Sequence, residues 1–174
     1  YFGPQQIFGL EGGDYDYDGL DIVRIIDEDD LQAIKEIHEE GSPYVPLALQ
    51  DAICWFLCGV ACMRIWGYGK PVSMLIHTSQ KTDHHQNIAE AVRDWIVSKD
   101  VDEMIRRCEK VWNTETSQFT FEKFREQYPQ YDRKDEEINR YPSFEDIRKE
   151  ITILLSKEPT NIPLDEDDEF AYHE

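Results

Sequence analysis

From Ala52 to Met63 the chain carries no charged residue, and this run limits what the protein can fold into. It lies within residues 46–79, PLALQDAICWFLCGVACMRIWGYGKPVSMLIHTS. Proline is favoured in the first turn of a helix, and the apolar run has a helix's length. Leu49, Ile53, Phe56, Val60 and Met63 recur at helical spacing, so they are expected to share the face turned to the core. Ala52, Trp55 and Cys62 carry the apolar surface further round, which predicts a helix covered by protein on most sides. A membrane span needs roughly 18 or more apolar residues, and the run is expected to be too short for one. No membrane partner is expected.

Beyond Gly67 and Gly69, Val72 to Thr78 is compact and apolar. Met74, Leu75 and Ile76 are consecutive, which predicts a strand covered on both faces, as in a parallel sheet. Alternation places Ser73, Leu75, His77 and Ser79 on one side and Met74, Ile76 and Thr78 on the other. Ser79 to Thr82 is polar, and Asp83 followed by Gln86 resembles a capping box. The helix it would open carries Ile88, Ala89, Val92, Trp95 and Ile96 on one face. The expected fold class is therefore α/β and helix-dominated, with a helix–strand–helix core and extra helices. Ligands of open α/β sheets sit at the carboxyl ends of the strands, which directs attention to the loop after Thr78.

The helix ending in Arg and Gly, the SMLIHTS segment and the Gln86-Asn87 pair opening an amphipathic helix together resemble the Z1 domain. Tyr1-Phe2-Gly3-Pro4 and Gly19-Leu20-Asp21-Ile22-Val23-Arg24 look like the lead-in typical of that family, and the resemblance is best over residues 1–98. It implies an endonuclease domain of bacterial restriction and phage-defence proteins, attached to a helicase-like ATPase. It further implies that SMLIHTS begins a second RecA-like lobe and that the P-loop belongs to an earlier lobe. The expected partners are the remaining ATPase lobes of a parent protein, a nuclease subunit, and DNA through the parent. ATP and magnesium are expected cofactors of the parent, and none of this chain. The first residue is Tyr1, and the simplest expectation is a piece of a longer protein.

At 174 residues the chain has the length of one domain with a substantial core. Residues 1–45 read as an acidic lead-in and connector, 46–158 as a helix-rich α/β module, and 159–174 as an acidic tail. The net charge of -19, from 37 acidic and 18 basic residues, opposes a surface that wraps nucleic acid as a whole. Cys54, Cys58 and Cys62 recur every fourth residue and are expected to pack as small buried hydrophobes. They lack the CxxC spacing of structural zinc, and reduced thiols with no signal peptide suit the cytoplasm. Asp14, Asp16, Asp18 and Gly19 imitate half a calcium loop, but Ile25 stands where the bidentate Glu is needed.

Helices are expected around Leu31, Ile34 and Ile37, and around Val101, Met104, Ile105, Cys108, Val111 and Trp112. An aromatic segment follows with Phe119, Phe121, Phe124 and Tyr128, expected to be exposed. Ser143 can cap a helix carrying Phe144, Ile147, Ile151 and Leu154, although 151–155 reads equally as a strand.

The sequence offers no catalytic residues and no metal ligands. Asp132 to Lys134 is its only acid-x-Lys of the Asp type, in a segment without strand character, and Glu-x-Lys is absent. Asp83-His84-His85 point about 100° apart on a helix, so they are not expected to converge on one metal. Gly67-Tyr68-Gly69-Lys70 lacks the first Gly and the Ser or Thr of a P-loop. His77, Ser79 and Gln86, beside a helix start, are the candidate nucleic-acid contacts. Three readings follow: a non-catalytic accessory or DNA-tracking module, an endonuclease domain that cuts DNA itself, and an acidic protein-interaction module.

Overall fold

The computed structural model describes residues 24–127 and 140–156. The described chain is helical, with no strand or sheet among the described residues. This overturns the α/β expectation, and the likeness to the start of a RecA-like lobe goes with it. Val72 to Thr78 forms neither helix nor strand; its burial alternates as in an extended chain, but no described segment pairs with it, and a strand exists only through its ladder. The expected alternation holds as far as Thr78, with Met74, Ile76 and Thr78 half-buried and Ser73, Leu75 and His77 exposed, and breaks at Ser79, which is half-buried. One face is open where both were expected to be covered.

Helix α1 spans Glu28–Glu40 and α2 spans Leu47–Ile65. Asp27 caps α1 by accepting from the Asp30 N–H at 2.8 Å, and Glu28, Asp29 and Asp30 complement the helix dipole. Gly41 ends it in the left-handed region at φ 66°, where glycine carries no Cβ penalty. Pro46 is the residue before the first turn of α2, where the N–H that proline lacks is not needed.

Helices α3, Thr82–Ser98, and α4, Val101–Gln118, follow, then α5, Phe121–Gln127, and α6, Phe144–Ser156. Asp100 caps α4 through the N–H groups of Asp102 and Glu103. Residues 151–155 lie in α6, so the strand alternative is excluded, and Ser143 Oγ accepts from the Asp146 N–H as the cap expected there. The imitation calcium loop, the acidic tail and Asp132 to Lys134 lie outside the described residues.

Three helices, α2, α4 and α6, pack against one another, and α1 packs on α3. Ile147 and Ile151 are fully enclosed, and Met104, Ile105, Cys108, Val111 and Trp112 face them from α4. Val101, grouped with that stripe from its spacing, is exposed.

The core face of α2 differs from the one its spacing suggested. Ile53 is buried, but its companions are Cys54, Cys58, Ala61 and Cys62, while Phe56, Val60 and Met63 are only half-buried and Ala52 is exposed. Cysteine and alanine let neighbouring backbones approach closely, so the small residues face α4 and the bulky ones turn outward. The helix is therefore less enclosed than expected. Its 19 residues also give it the length and apolar composition to cross a membrane, longer than the sequence run suggested. Arg107 of α4 reaches α2 by donating to the Leu47 carbonyl at 3.1 Å and pairing with Asp51 at 2.7 Å.

The aromatic residues after α4 turn inward as well. Phe121 meets Tyr141 with ring centroids 4.6 Å apart and Trp66 at 5.9 Å. Tyr141 packs edge-on against Trp112 at 5.5 Å and donates its hydroxyl to the Phe119 carbonyl at 2.8 Å. Phe119 and Phe121 are thus half-buried rather than exposed.

Candidate functional site: a histidine cluster at the start of α3

The extended segment brings its polar end onto α1 and the first turn of α3. Thr78 Oγ1 lies 2.9 Å from His38 Nε2, joining residues forty positions apart. Asn87 of α3 donates to the His38 carbonyl at 2.9 Å, so α1 is fastened to this corner through both side chain and backbone. His38 stacks on His84 with centroids 4.5 Å apart and planes 16° from parallel.

Ser79 holds the turn. Its Oγ accepts from the Lys81 N–H at 3.2 Å and lies 2.9 Å from His84 Nδ1. His85 Nε2 donates to the Ser79 carbonyl, and the His77 ring lies 5.6 Å from that of His85. Four histidines thus gather around a single bend.

Burial is the main influence on His38, with His84 and His85 adding repulsion and Glu39 opposing them; together they hold its pKa below the ordinary histidine value. The buried member of the cluster is kept neutral, whereas His77 and His85 are exposed.

Of the sequence candidates, His77 and Ser79 come together here. Gln86 does not: it points along α3 and donates to Glu90 at 3.0 Å, one turn on. The capping-box expectation fails for the same reason, because α3 starts at Thr82 and places Asp83 inside the first turn. Lys81 precedes the helix without a side-chain cap. His84 and His85 both fold back to Ser79, one to its hydroxyl and one to its carbonyl. Both meet the loop that precedes α3, and among the described residues no group of three or more His, Cys, Asp or Glu is placed to hold a metal ion.

The sequence model of the Z1 domain family matches residues 48–174. The chain belongs to that family. The match begins in the first turn of α2 and runs to the end of the chain, so the lead-in at residues 1–24 lies outside it, contrary to the expected coverage of 1–98. His38 also lies outside the matched region, although it completes the cluster formed by residues within it. No curated protein and no solved structure matches the chain.

Elsewhere in this Z1 domain the thiols face the core. Cys54, Cys58, Cys62 and Cys108 are free and buried. The Cys108 contact, then burial, raises the Cys54 thiol far above its ordinary range, and burial pushes Cys62 up to about 12. Neither can act as a thiolate near neutral pH. An apolar groove of about 490 Å³ adjoins the histidine cluster, between Met74 and Ile76 on one side and Ile88, Val92 and Ile96 of α3 on the other.

Proposed function

We propose that this Z1 domain is a non-catalytic module of a larger ATP-dependent restriction or DNA-defence protein, meeting DNA phosphate at the histidine bend. The observation that carries this reading is the start of α3. No side chain caps it, and Lys81, His77 and His85 stand exposed around it. First-turn N–H groups carry partial positive charge and donate readily to a phosphate oxygen, and the Lys81 ammonium adds a charge-assisted donor. Asp83 in the same turn opposes an anion, and the net charge of -19 opposes DNA at longer range. The contact is therefore local. ATP and magnesium belong to the ATPase lobes of the parent, and DNA cleavage to a separate nuclease.

The test is binding of a fluorescent DNA duplex by the full-length parent, measured across salt and between pH 6 and pH 8. Replacing His77 and His85 together with alanine should weaken binding by more than about tenfold, since a single hydrogen bond to a charged group is worth roughly 1.5–3 kcal/mol. Gln86→Ala should leave affinity unchanged. Unaltered affinity in a folded double variant would refute the reading. Metal-dependent cutting by the isolated chain, abolished by changing one carboxylate, would favour an endonuclease instead.

A further inference from the structure

Residues 72–78 are extended and make no backbone hydrogen bond among the described residues, as donor or as acceptor. Their N–H and C=O groups form an open edge on either side of the segment. Met74 and Ile76 pack against the core, so the segment is fixed on one face. Leu75 on the other face is 87% exposed, and Val72 is also exposed. Beside it runs the apolar groove, with Ile88, Val92 and Ile96 of α3 behind it and the 77% exposed Val97 at one end. A second strand laid alongside, at the usual spacing of about 4.8 Å, would pair its backbone with this edge. Its alternate side chains would descend into the groove.

The geometry points to a docking site here for an extended segment of another polypeptide, added edge-on to residues 72–78. Backbone pairing supplies the attachment, and apolar residues at every second position fill the groove. The charges specify the ends of the guest. Residues 70–82 include Lys70 and Lys81 and no carboxylate, in a chain that is otherwise strongly acidic, and Arg93 lines the groove. The guest is therefore an alternating apolar strand flanked by acidic residues. A second copy of this chain fits poorly. Parallel self-pairing sets lysine beside lysine, antiparallel self-pairing brings Lys70 near Lys81, and each copy carries -19. This surface shares His77, Lys81 and His85 with the phosphate contact proposed above, but the backbone pairing along residues 72–78 does not depend on that contact.

The probe is a synthetic peptide of alternating valine and threonine with two glutamates at each end. Hydrogen exchange of the amides of residues 72–78 is followed in the full chain, with binding measured in parallel by fluorescence anisotropy. The peptide should bind saturably, more weakly as salt rises, and slow exchange at alternate amides of the segment by tenfold or more. Binding should be lost with Leu75→Pro and with Val92→Asp, and with a peptide N-methylated at alternate positions. Lysine in place of the terminal glutamates should weaken it severalfold. Circular dichroism checks that both variants keep their helices. Absence of binding, or binding without slowed exchange, would overturn the proposal. So would equal protection from the N-methylated peptide, or amides already protected in the free chain. Peptide-free protection that appears only as protein concentration rises would assign the edge to a second copy and also overturn it.

Discussion

Truncating Ile151 to alanine is expected to destabilise the chain by about 3–4 kcal/mol, whereas Phe56→Ala, despite deleting more atoms, is expected to cost about 1 kcal/mol. Ile151 is fully enclosed on α6, within the cluster shared with α2 and α4. Removing its side chain beyond Cβ takes away three carbons, about 2.4 kcal/mol at about 0.8 kcal/mol each. The facing helices cannot collapse onto the space without moving as units, so a cavity cost is added and the sum falls within the roughly 2–5 kcal/mol seen for such changes. Phe56 is half-buried on the outward side of α2, and its loss leaves no enclosed void. Urea titration followed by helical circular dichroism measures both, and the midpoint should shift without a change in slope. A Phe56→Ala cost equal to or above that of Ile151→Ala would show that the outward face of α2 is covered. The assignment of the core to the cysteine face would then be wrong.

Three further outcomes are expected. The neutral state of His38 is favoured in the fold, so its contribution to stability is complete above its ordinary value of 6.5 and is lost as pH falls below it. Thermal melts from pH 8 to pH 5 should show this decline, and His38→Phe, which keeps a ring to stack on His84, should flatten it; an identical profile in that variant would place the decline elsewhere. Asp27→Ala should cost about 1 kcal/mol in denaturant titration by uncapping α1, and a change below a few tenths would mean that solvent satisfies the Asp30 N–H equally well. Tyr141→Phe removes the 2.8 Å bond to the Phe119 carbonyl and should cost about 1 kcal/mol, read in the same way, with no loss expected if that carbonyl is freely hydrated.

Helical spacing in the sequence is enough to locate α1, α3 and α4, because each carries an apolar stripe that only a helix gathers onto one side; the length of its uncharged run locates α2, and spacing leaves 151–155 of α6 open between helix and strand. It does not choose the buried side of α2. A helix apolar around its whole circumference has no stripe, and the choice depends on which neighbours pack closely against small residues. The segment Val72–Thr78 has a strand's composition and alternation, but pairing is a property of two segments and the sequence of one cannot supply it. The cluster was half legible. His77 and Ser79 stand out beside a helix start, while His38 joins them across forty positions through a contact with no local signature. His84 and His85 were adjacent to the candidates and visible. Their fold-back was hidden because helical geometry alone sends successive side chains apart, and it is the preceding loop that comes to meet them. Gln86 was lost to a shift in where α3 begins, which turns it toward Glu90.

The contact between α2 and α4 is lined with sulfur: the Cys54 thiol lies 3.7 Å from the Met104 thioether, Cys58 donates to the Cys108 carbonyl, and Cys108 to that of Cys54. Because two of these groups come from α2 and two from α4, all become inaccessible in the same docking event. A thiol modified before that event brings bulk and polarity to a seam that accepts neither, so the two helices cannot meet. Oxidative damage is thereby sorted in time. Once α2 and α4 have docked, the four buried thiols are shielded from oxidants in solution.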